Sequence, residues 1–567
     1  MNVSLAFDSA PRRRALARGA LLALVVVAYA NSLAVPFVFD DERNIVRNPL
    51  VRHLRFAATP WLASASGATP DQVGTFKSRY LAMASFAVGH RLHGLDARGF
   101  HVGNGLIHLV ATLLVFGIVW RALQLPAFAG SRLRARGPTV AFLVAALFAV
   151  HPLQTQAVTY IVQRMASLAG CLGLAAVWCH LRARASASAG SLTGFRAATV
   201  AALLAALLTK ESAAAFPLLV VAVDLALFGG GWRARLRWLA TPLVTLFVPL
   251  IRLAALVLET ADPARQFDVV TRAGTAVGRW SYLATESRVI VRYLRLLVFP
   301  AGQSIDHDVD LSPSFADPRA AICGLLALGM LGLGVAWIVR GRRGEAGWRL
   351  AGLGLVWFFV AQVVESSVLP IADVMVEHRL YLPLAGFALA VVAAAHSAVG
   401  DAGARRVSAV LGLSILALTA VTRARNEVWR DELALWRQAE RTSPQKVRVL
   451  FNIGSLLGQR GEVDEAARYL ERALERDPHH LPSLINLGLV AHRRGSPERA
   501  RELYERALAL DPGHAVALLN LGDLEREQGR AERAAELYRR AAAAAPRDPT
   551  PRQRLRELEP AATSGGR

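Results

Sequence analysis

The sequence predicts an all-α protein with two parts. Residues 1–423 are predicted to form a polytopic helical membrane domain of about eleven spans, and residues 424–560 a solenoid of helical repeats. The 567 residues are 54% hydrophobic with a mean hydropathy of +0.34, which is too apolar for one soluble domain of this size. After residue 423 the apolar runs stop and a repeat of 34 residues begins. A disordered tail is expected at 561–567.

Apolar runs long enough to cross the hydrocarbon core of a bilayer, about 20 residues, define the membrane domain. Residues 79–95 and 280–300 are also apolar but carry several charges, which favours amphipathic helices at the membrane surface. The first run follows three arginines, as in a signal peptide, but its length favours a retained helix. The predicted spans are 19–39, 101–122, 138–152, 164–181, 196–210, 212–229, 238–259, 320–339, 349–370, 379–399 and 406–423.

The distribution of charge supports eleven spans. With the N-terminus inside, the predicted cytoplasmic segments hold 20 arginines and three acidic residues. This matches the positive-inside rule and places the repeats on the exported side of the membrane. The net charge of +22 therefore reflects orientation in the membrane, and no nucleic acid partner is expected.

The C-terminal part repeats with the tetratricopeptide period. Full repeats are predicted at 447–480, 481–514 and 515–548, with a degenerate helix before them and a capping helix after them. Such arrays form concave surfaces that bind peptides or proteins, and a spacer role is the alternative. The columns in register are Pro444, Pro478, Pro512 and Pro546; Asn452, Asn486 and Asn520; Gly454, Gly488 and Gly522; Gly461, Gly495 and Gly529; and Ala466, Ala500 and Ala534.

An acidic pair, Asp40 and Asp41, lies directly beyond the first predicted span. A carboxylate at the membrane boundary suits a general base between a polar acceptor and a lipid-borne donor. A solvated cap of the span is the alternative. On the next span Asn104 and His108 are about one turn apart on one helix face, where catalysis and interhelical hydrogen bonding are competing explanations.

Other polar residues interrupt the apolar runs. Lys210 and Glu211 stand between two spans, and the lysine either binds a phosphate or forms a local pair. The segment containing Asp306 resembles a metal site superficially but lacks a spaced partner set, which favours a solvated loop. The three cysteines lie in apolar segments and are expected to be buried. No Rossmann or P-loop signature supports a nucleotide-sugar site.

The order of the motifs resembles the transmembrane and tetratricopeptide repeat-containing O-mannosyltransferases and their bacterial relatives, of the GT-C glycosyltransferase superfamily. The resemblance covers almost the whole chain. It implies transfer of a mannose-like sugar from a polyprenyl-phosphate donor to Ser or Thr hydroxyls of exported proteins, with the repeats binding the acceptor. The segments, all followed by the repeats, are FDDERNIVRNP, SRYLAMASF, HVGNGLIHLV, LFAVHPLQTQAVTYIVQRMASLAG, LLTKESAAAFP, RYLRLLVFPAGQSIDHD and VEHRLYLPLAGF.

The resemblance also assigns roles to residues. Asp40 or Asp41 would act as the general base. Relatives often have Arg-Pro at Arg79-Tyr80 and Glu at Gln156, so this chain departs from the pattern in two motifs. The donor phosphate would be held by Arg79, Arg164, Lys210, His378 and Arg379. The other candidates for the active site are Asn104, His108, His151, Glu211, Asp306 and Glu377.

Several alternatives stay open at this stage. The acceptor could instead be an envelope glycan or lipid, or the chain could be a non-catalytic membrane anchor for a repeat scaffold. No cofactor is assigned, and a divalent metal is an open alternative. The expected location is a bacterial inner membrane with periplasmic repeats, or the membrane of the endoplasmic reticulum with lumenal repeats if the source is eukaryotic.

Overall fold

The computed structural model describes residues 9–258 and 277–558, and in these ranges the chain is helical with no β-strand. The chain divides into two units. The membrane unit comprises residues 1–303 and 309–432, and the repeat unit comprises 304–308 and 433–567. The division falls beyond residue 423 because the helix of the last span continues to Val428. The predicted tail at 561–567 lies outside the described residues.

The described part of the membrane unit contains fifteen helices of nine or more residues. They are α1 Ser9–Tyr29, α2 Pro70–Ser78, α3 Tyr80–His93, α4 Ala97–Leu123, α5 Gly137–Val150, α6 Arg164–Arg184, α7 Ala189–Leu207, α8 Phe216–Leu227, α9 Trp232–Leu243, α10 Phe247–Leu258, α11 Arg279–Val298, α12 Pro318–Arg342, α13 Ala346–Val360, α14 Tyr381–Ser397 and α15 Asp401–Val428.

Each of the eleven predicted spans overlaps a helix in the described ranges, but residues 361–370 of the predicted span 349–370 are not helical. In the described ranges eight helices are long and apolar enough to cross a membrane, and Gly137–Val150 with Pro152–Val158, bent by 51°, makes a ninth if the pair is one span. The predicted spans 212–229 and 349–370 fall on α8 and α13, which have only 12 and 15 residues. The chain is an integral membrane protein. Helices α3 and α11, from the two predicted surface segments, are not among the candidate spans.

Helix α5 lies at the centre of the membrane unit. Its 14 residues carry no charge and are mostly buried, as expected for a helix that is apolar on all sides. It packs against α1, α4, α14 and α15. The helix ends before Pro152, because a proline ring cannot continue a helix without clashing with the preceding turn.

Three consecutive helices, α12, α13 and α14, form a closely packed layer. A Cβ atom on Gly354 of α13 would lie 2.5 Å from the carbonyl oxygen of Gly386 on α14. Glycine at this contact lets the two backbones approach closely, as in other membrane helix pairs. Between α13 and α14 the segment 361–376 is non-helical.

The repeat unit confirms the predicted tetratricopeptide pattern of helix pairs. Each predicted repeat contains two helices, and the glycine column at their connection has φ of 81°, 70° and 74° at Gly461, Gly495 and Gly529. Glycine adopts this left-handed conformation without a steric cost. The helices are α16 Glu432–Thr442, α17 Val447–Gln459, α18 Val463–Arg476, α19 Leu481–Arg493, α20 Pro497–Leu510, α21 Ala515–Glu527, α22 Ala531–Ala544 and α23 Thr550–Leu558.

Candidate active site

Asp41 is buried, and its hydrogen bonds link two loops. Its side chain is 0% exposed, with Oδ1 accepting from the N–H of Val162 at 2.7 Å and Oδ2 from the N–H of Val38 at 3.1 Å. Burial raises the pKa of this carboxyl to about 8, although the two backbone bonds act in the opposite direction. Asp41 thus ties the first loop to the turn that precedes α6.

Asp40, in contrast, lines an open cavity of about 950 Å³. The residue before it, Phe39, has φ of +48° and is the one non-glycine residue with positive φ in the described ranges. Such a conformation is costly for a bulky side chain and is typical of functional sites. The backbone N–H of Asp40 donates to Tyr160 Oη at 3.1 Å. The strained turn at Phe39 therefore precedes two adjacent carboxylates, one that lines a cavity and one that is buried.

The cavity beside Asp40 is lined by charged side chains of both signs and by apolar surface. Its other lining residues include Arg43, Arg47 and Arg52 from the first loop, and Gln72 at the start of α2. Gln72 Nε2 donates to the carbonyl of Arg43 at 3.0 Å, which holds α2 against the loop. The arginines have partners at the cavity: Arg43 pairs with Asp71, Arg47 Nε lies 2.7 Å from Glu42 Oε1, and Arg52 donates to the carbonyl of Val46.

Arg79 and Glu211 form an ion pair close to the end of α2. Arg79 Nε lies 3.0 Å from Glu211 Oε2, and the N–H of Leu81 donates to the carbonyl of Leu208 at 2.8 Å. Burial would raise the pKa of Glu211, but Arg79 holds it below its usual value. Arg79 Nη1 also contacts Met165 Sδ at 3.5 Å, so it lies next to the beginning of α6.

Lys210 and Arg379 share one carboxylate, that of Glu365 in the non-helical segment after α13. Lys210 Nζ lies 3.0 Å from Glu365 Oε1, and Arg379 Nε lies 3.8 Å from the same oxygen. Arg379 Nη1 is also 3.8 Å from Glu286 Oε1. We call Lys210, Arg379, Glu365 and Glu286 the cation cluster.

Glu286 is the fully buried carboxylate of the cation cluster. Burial raises its pKa to about 7, although Arg379 acts in the opposite direction. His378 lines the same small cavity, and its Nδ1 is buried with no hydrogen-bond partner in the described part of the chain. Its backbone N–H donates to Gln156 Oε1 at 2.7 Å.

The Asp40 cavity and the cation cluster are linked through short contacts. The turn that Asp41 holds leads into Arg164 and Met165, and Met165 contacts Arg79. Arg79 pairs with Glu211, which adjoins Lys210 in sequence. Of the five predicted phosphate-binding residues, the structure brings Lys210, His378 and Arg379 to one cavity and places Arg79 beside it.

Arg164 donates its hydrogen bonds to groups within the membrane unit. Its Nε donates to Asn104 Oδ1 at 2.6 Å, and its other nitrogens donate to the carbonyls of Ser85 and Phe100. Asn104 Nδ2 donates to the carbonyl of Val158 at 3.1 Å. The two side chains therefore hold the turn that binds Asp41. A phosphate-binding role for Arg164 would require it to give up these bonds.

The remaining membrane candidates also bond within the unit. His108 lies 3.0 Å from Tyr381 Oη and 2.9 Å from the carbonyl of Ala149, which fits the alternative of interhelical hydrogen bonding. The carbonyl of Leu297 lies 3.0 Å from His151 Nε2. Glu377 Oε2 accepts from Gln303 Nε2 at 2.8 Å. These contacts position the segments on either side of the cation cluster.

Asp306 belongs to the repeat unit rather than to the membrane unit. Its carboxylate is bidentate to Arg448, at 2.5 and 2.6 Å, and lies 2.6 Å from Lys446 Nζ. Burial would raise its pKa, but Arg448 and Lys446 hold it below the usual value. The expectation of a solvated loop is therefore wrong for Asp306. In the described ranges, no group of three or more His, Cys, Asp and Glu side chains is arranged to hold a metal.

Sequence reasoning missed two acidic residues of the cation cluster. Glu365 lies inside a predicted span, and an acidic residue in an apolar run is a signal for function that could have identified it. Glu286 is one of the charges in 280–300 that favoured an amphipathic surface helix there, and no role in a site was predicted for it. Neither sequence position indicates that the two carboxylates meet Arg379.

Comparison with known proteins supports the same family. A tetratricopeptide repeat model matches residues 429–480, 451–515 and 485–549. A protein O-mannosyl-transferase of Caenorhabditis elegans is 25% identical over 484 residues, covering 83% of this chain and 65% of the relative. Protein O-mannosyl-transferase TMTC4 of Homo sapiens is 26% identical over 501 residues, covering 79% and 64%. These similarities confirm the family resemblance, although the chain spans less than two thirds of either relative.

Among solved structures, ArnT from Cupriavidus metallidurans bound to undecaprenyl phosphate aligns with this chain at a TM-score of 0.42 and 16% identity. The alignment covers 86% of this chain and 79% of ArnT.

Proposed function

We propose that the chain is an integral-membrane glycosyltransferase that moves a mannose-like sugar from a polyprenyl-phosphate donor to Ser or Thr hydroxyls of exported proteins. Its similarity to protein O-mannosyl-transferases supports the reaction class. The observation that carries the proposal is the Asp40 cavity linked to the cation cluster. The setting is a bacterial inner membrane, with the repeats in the periplasm.

In this mechanism Asp40 is the general base. It accepts the proton of the acceptor hydroxyl while that oxygen attacks the anomeric carbon of the sugar, with inversion. The bond from the anomeric carbon to the phosphate oxygen breaks, and its electron pair leaves with the polyprenyl phosphate. Lys210 and Arg379 stabilise the charge that develops on this leaving group, with Arg79 beside them. Asp41 is a positioning residue, because both of its oxygens bond to backbone.

An apolar groove between α11 and α12 supports a lipid donor. It has a volume of about 460 Å³ and is lined by side chains such as Ile290, Leu325 and Leu328. Glu286 and Ser366 also line it, and Glu286 faces Arg379 of the cation cluster. In our proposal the polyprenyl tail occupies this groove, which places its phosphate at the cations.

The test is transfer by the full-length protein in nanodiscs. Two labelled donors, polyprenyl-phosphate mannose and GDP-mannose, are offered with a Ser/Thr-containing peptide. We expect glycosylated peptide with the lipid donor alone. Transfer from GDP-mannose would contradict the donor class. No transfer to the peptide, together with transfer to an envelope glycan or lipid, would contradict the protein acceptor.

A further inference from the structure

Three arginines from three helices meet at the C-terminal end of α8. Arg235 lies on α9, Arg342 is the last residue of α12, and Arg349 lies in the first turn of α13. Each donates to a backbone carbonyl at the end of α8, where a helix leaves its last carbonyls without partners of its own. We call these three residues the arginine cluster. The pairs are Arg342 with Leu225, Arg349 with Ala226 at 2.5 Å, and Arg235 with Phe228 at 3.2 Å.

The fold holds the arginine cluster together closely. An added Cβ on Gly341 would overlap the backbone of Arg349, so the end of α12 touches the start of α13. Arg342 and Arg349 therefore lie side by side, and the charges of Arg342 and Arg235 both repel that of Arg349. Three like charges gathered at one turn of α8 are costly unless an anion lies among them.

The described residues supply no such anion. Within the described ranges, none of the three arginines has a carboxylate partner. Arg349 is 7% exposed and bonds only through Nε, so in the same ranges both of its terminal nitrogens lack a hydrogen-bond partner. Arg235 Nε is buried and also lacks a partner among the described residues. Buried donors of this kind are rare in folded proteins, which indicates an acceptor that these residues do not provide.

The acidic side chain in the last turn of α8, Asp224, is already paired. Asp224 Oδ2 lies 2.8 Å from His180 Nε2 and 3.1 Å from Arg184 Nε, and the side chains of Asp224 and His180 are both 1% exposed. The guanidinium carbon of Arg184 lies 4.2 Å from the centre of the Phe228 ring, which adds a fourth cation beside the arginine cluster. The end of α8 itself carries only about half a negative charge. Four guanidinium groups therefore face one carboxylate.

Tryptophans indicate that the arginine cluster lies at a membrane surface. Trp348 directly precedes Arg349, and its ring centre lies 4.9 Å from that of Trp337 on α12. Trp238 follows Arg235 by three residues on α9. Tryptophan is enriched at the boundary between hydrocarbon and water. In the predicted topology the end of α8, the end of α12 and the start of α13 all face the cytoplasm, and the structure brings these three ends together.

Apolar side chains beside the arginine cluster are exposed. Leu225, whose carbonyl binds Arg342, is 37% exposed, and Leu236, next to Arg235, is 52% exposed. A ligand at this place would contact cations through one part and apolar surface through another. This combination favours a phospholipid over a free phosphate ion.

We propose that the arginine cluster binds the phosphate of an anionic membrane phospholipid of the phosphatidylglycerol class. A planar guanidinium group matches two phosphate oxygens with two parallel N–H donors, and Arg349 keeps its two terminal nitrogens for this while Nε caps α8. Basic pockets between membrane helices on the cytoplasmic side bind such head groups. The bound lipid would link α8, α9, α12 and α13.

The proposed lipid site is separate from the cation cluster. Lys210 precedes the start of α8, whereas Arg342 and Arg349 meet its end. The 12 residues of α8 span roughly 18 Å. The lipid at the arginine cluster is therefore a structural ligand and not the sugar donor.

The test measures lipid binding to the full-length protein in a neutral detergent by native mass spectrometry. Phosphatidylglycerol and phosphatidylcholine with the same acyl chains are titrated separately. We expect the wild type to bind phosphatidylglycerol about tenfold more tightly than phosphatidylcholine. Each of Arg342→Gln and Arg349→Gln should weaken phosphatidylglycerol binding about fivefold to tenfold and leave phosphatidylcholine binding unchanged.

Two exposed arginines of α15, Arg405 and Arg406, provide the matched control. They lie on the same predicted side of the membrane, and Arg405→Gln and Arg406→Gln should bind phosphatidylglycerol as the wild type does. Arg349→Lys keeps the charge and a donor for the end of α8 but loses the planar group, so it should fold and still bind the lipid more weakly. If Arg349→Gln does not fold, Arg342→Gln and Arg349→Lys decide the outcome.

Equal binding of the two lipids, or equal losses in the cluster and control variants, would overturn the proposal. Glycerol phosphate, which lacks acyl chains, distinguishes the two sources of phosphate, because its binding as tightly as the lipid would show a site for soluble phosphate instead. Displacement of phosphatidylglycerol by a lower concentration of polyprenyl phosphate would show a site for the donor lipid and would also overturn the proposal. Binding needs no sugar donor, so absence of sugar transfer together with intact phosphatidylglycerol binding would contradict the proposed function alone.

Discussion

Replacing Asp40 and Asp41 singly by asparagine separates the base from the positioning residue. Both changes keep the side-chain size and replace one carboxyl oxygen by an amide nitrogen. Asp40 lines the open cavity, whereas Asp41 is buried with two backbone N–H donors on its oxygens. We therefore expect opposite effects on activity and stability.

The structure sets the size of each effect. In Asp40→Asn the loss of a general base lowers the rate about 10²-fold to 10⁴-fold, and stability changes by less than about 0.5 kcal/mol because the site is not enclosed. In Asp41→Asn the amide nitrogen must face the N–H of Val38 or of Val162, since only one oxygen remains. A buried donor without a partner costs about 1–3 kcal/mol of folding free energy.

The pH dependence of stability provides a further readout for Asp41. Its pKa is about 8 in the folded protein, above the usual value near 4, so the folded state binds the proton more tightly than the unfolded state. The stability that this proton confers is complete below about pH 4 and is lost as the pH rises through about 8. Asp41→Asn should abolish this contribution, and Asp40→Asn should keep it.

The assay compares sugar transfer from the lipid donor with thermal unfolding at pH values from 4 to 9. Asp40→Asn should be inactive with the unfolding temperature of the wild type, and Asp41→Asn should unfold at a lower temperature. An active Asp40→Asn protein, or an inactive Asp41→Asn protein with unchanged stability, would refute the assignment of roles.

Three other perturbations test the neighbouring features. Lys210→Met should raise KM for the lipid donor roughly tenfold to hundredfold, because a charged hydrogen bond to phosphate is lost. Adding Glu365→Gln to this variant should recover stability but not KM. Recovery of both would contradict phosphate binding by Lys210. Gly324→Leu should fill the groove between α11 and α12, because an added Cβ would lie 3.2 Å from Phe315. It should weaken use of a long-chain donor more than use of a short-chain analogue. Gly332→Leu on the same helix is the control, because an added Cβ there meets no atom within 4 Å. Asp306→Asn should destabilise the repeat unit by about 1–3 kcal/mol in calorimetry. Because the pKa of Asp306 is lowered in the folded protein, the stability that its carboxylate confers on the wild type should be lost as the pH falls below about 4. Equal acid sensitivity of both proteins would argue against the ion pairs.

Much of the fold follows from local patterns. Apolar runs locate the helices, because a segment in lipid must satisfy its backbone hydrogen bonds internally. Each predicted span overlaps a helix in the described ranges. The 34-residue columns locate the repeats because each column reflects one recurring contact or turn. Lengths were less predictable: α8 and α13 are shorter than their apolar runs, since hydropathy does not show where a chain leaves the helical conformation.

The candidate site was predictable in part. Asp40 and Lys210 were indicated by their position beside apolar runs, and the family resemblance implied His378 and Arg379. They did not distinguish Asp40 from Asp41, because two adjacent carboxylates have the same chemistry until the chain around them is folded. Phe39, with its positive φ, carries no sequence signal for that conformation.

The sequence by itself determined that the chain crosses a membrane, where its helices lie, and that tetratricopeptide repeats follow, because each depends on periodicity within a short stretch. Tertiary structure alone decided which charges meet. Glu365 pairs with Lys210, 155 residues away in the sequence, and lies near Arg379. Asp306 pairs with Arg448 in the repeat unit. A carboxylate in a low-dielectric interior is stable only beside a cation or hydrogen-bond donors, and packing determines which of these it reaches.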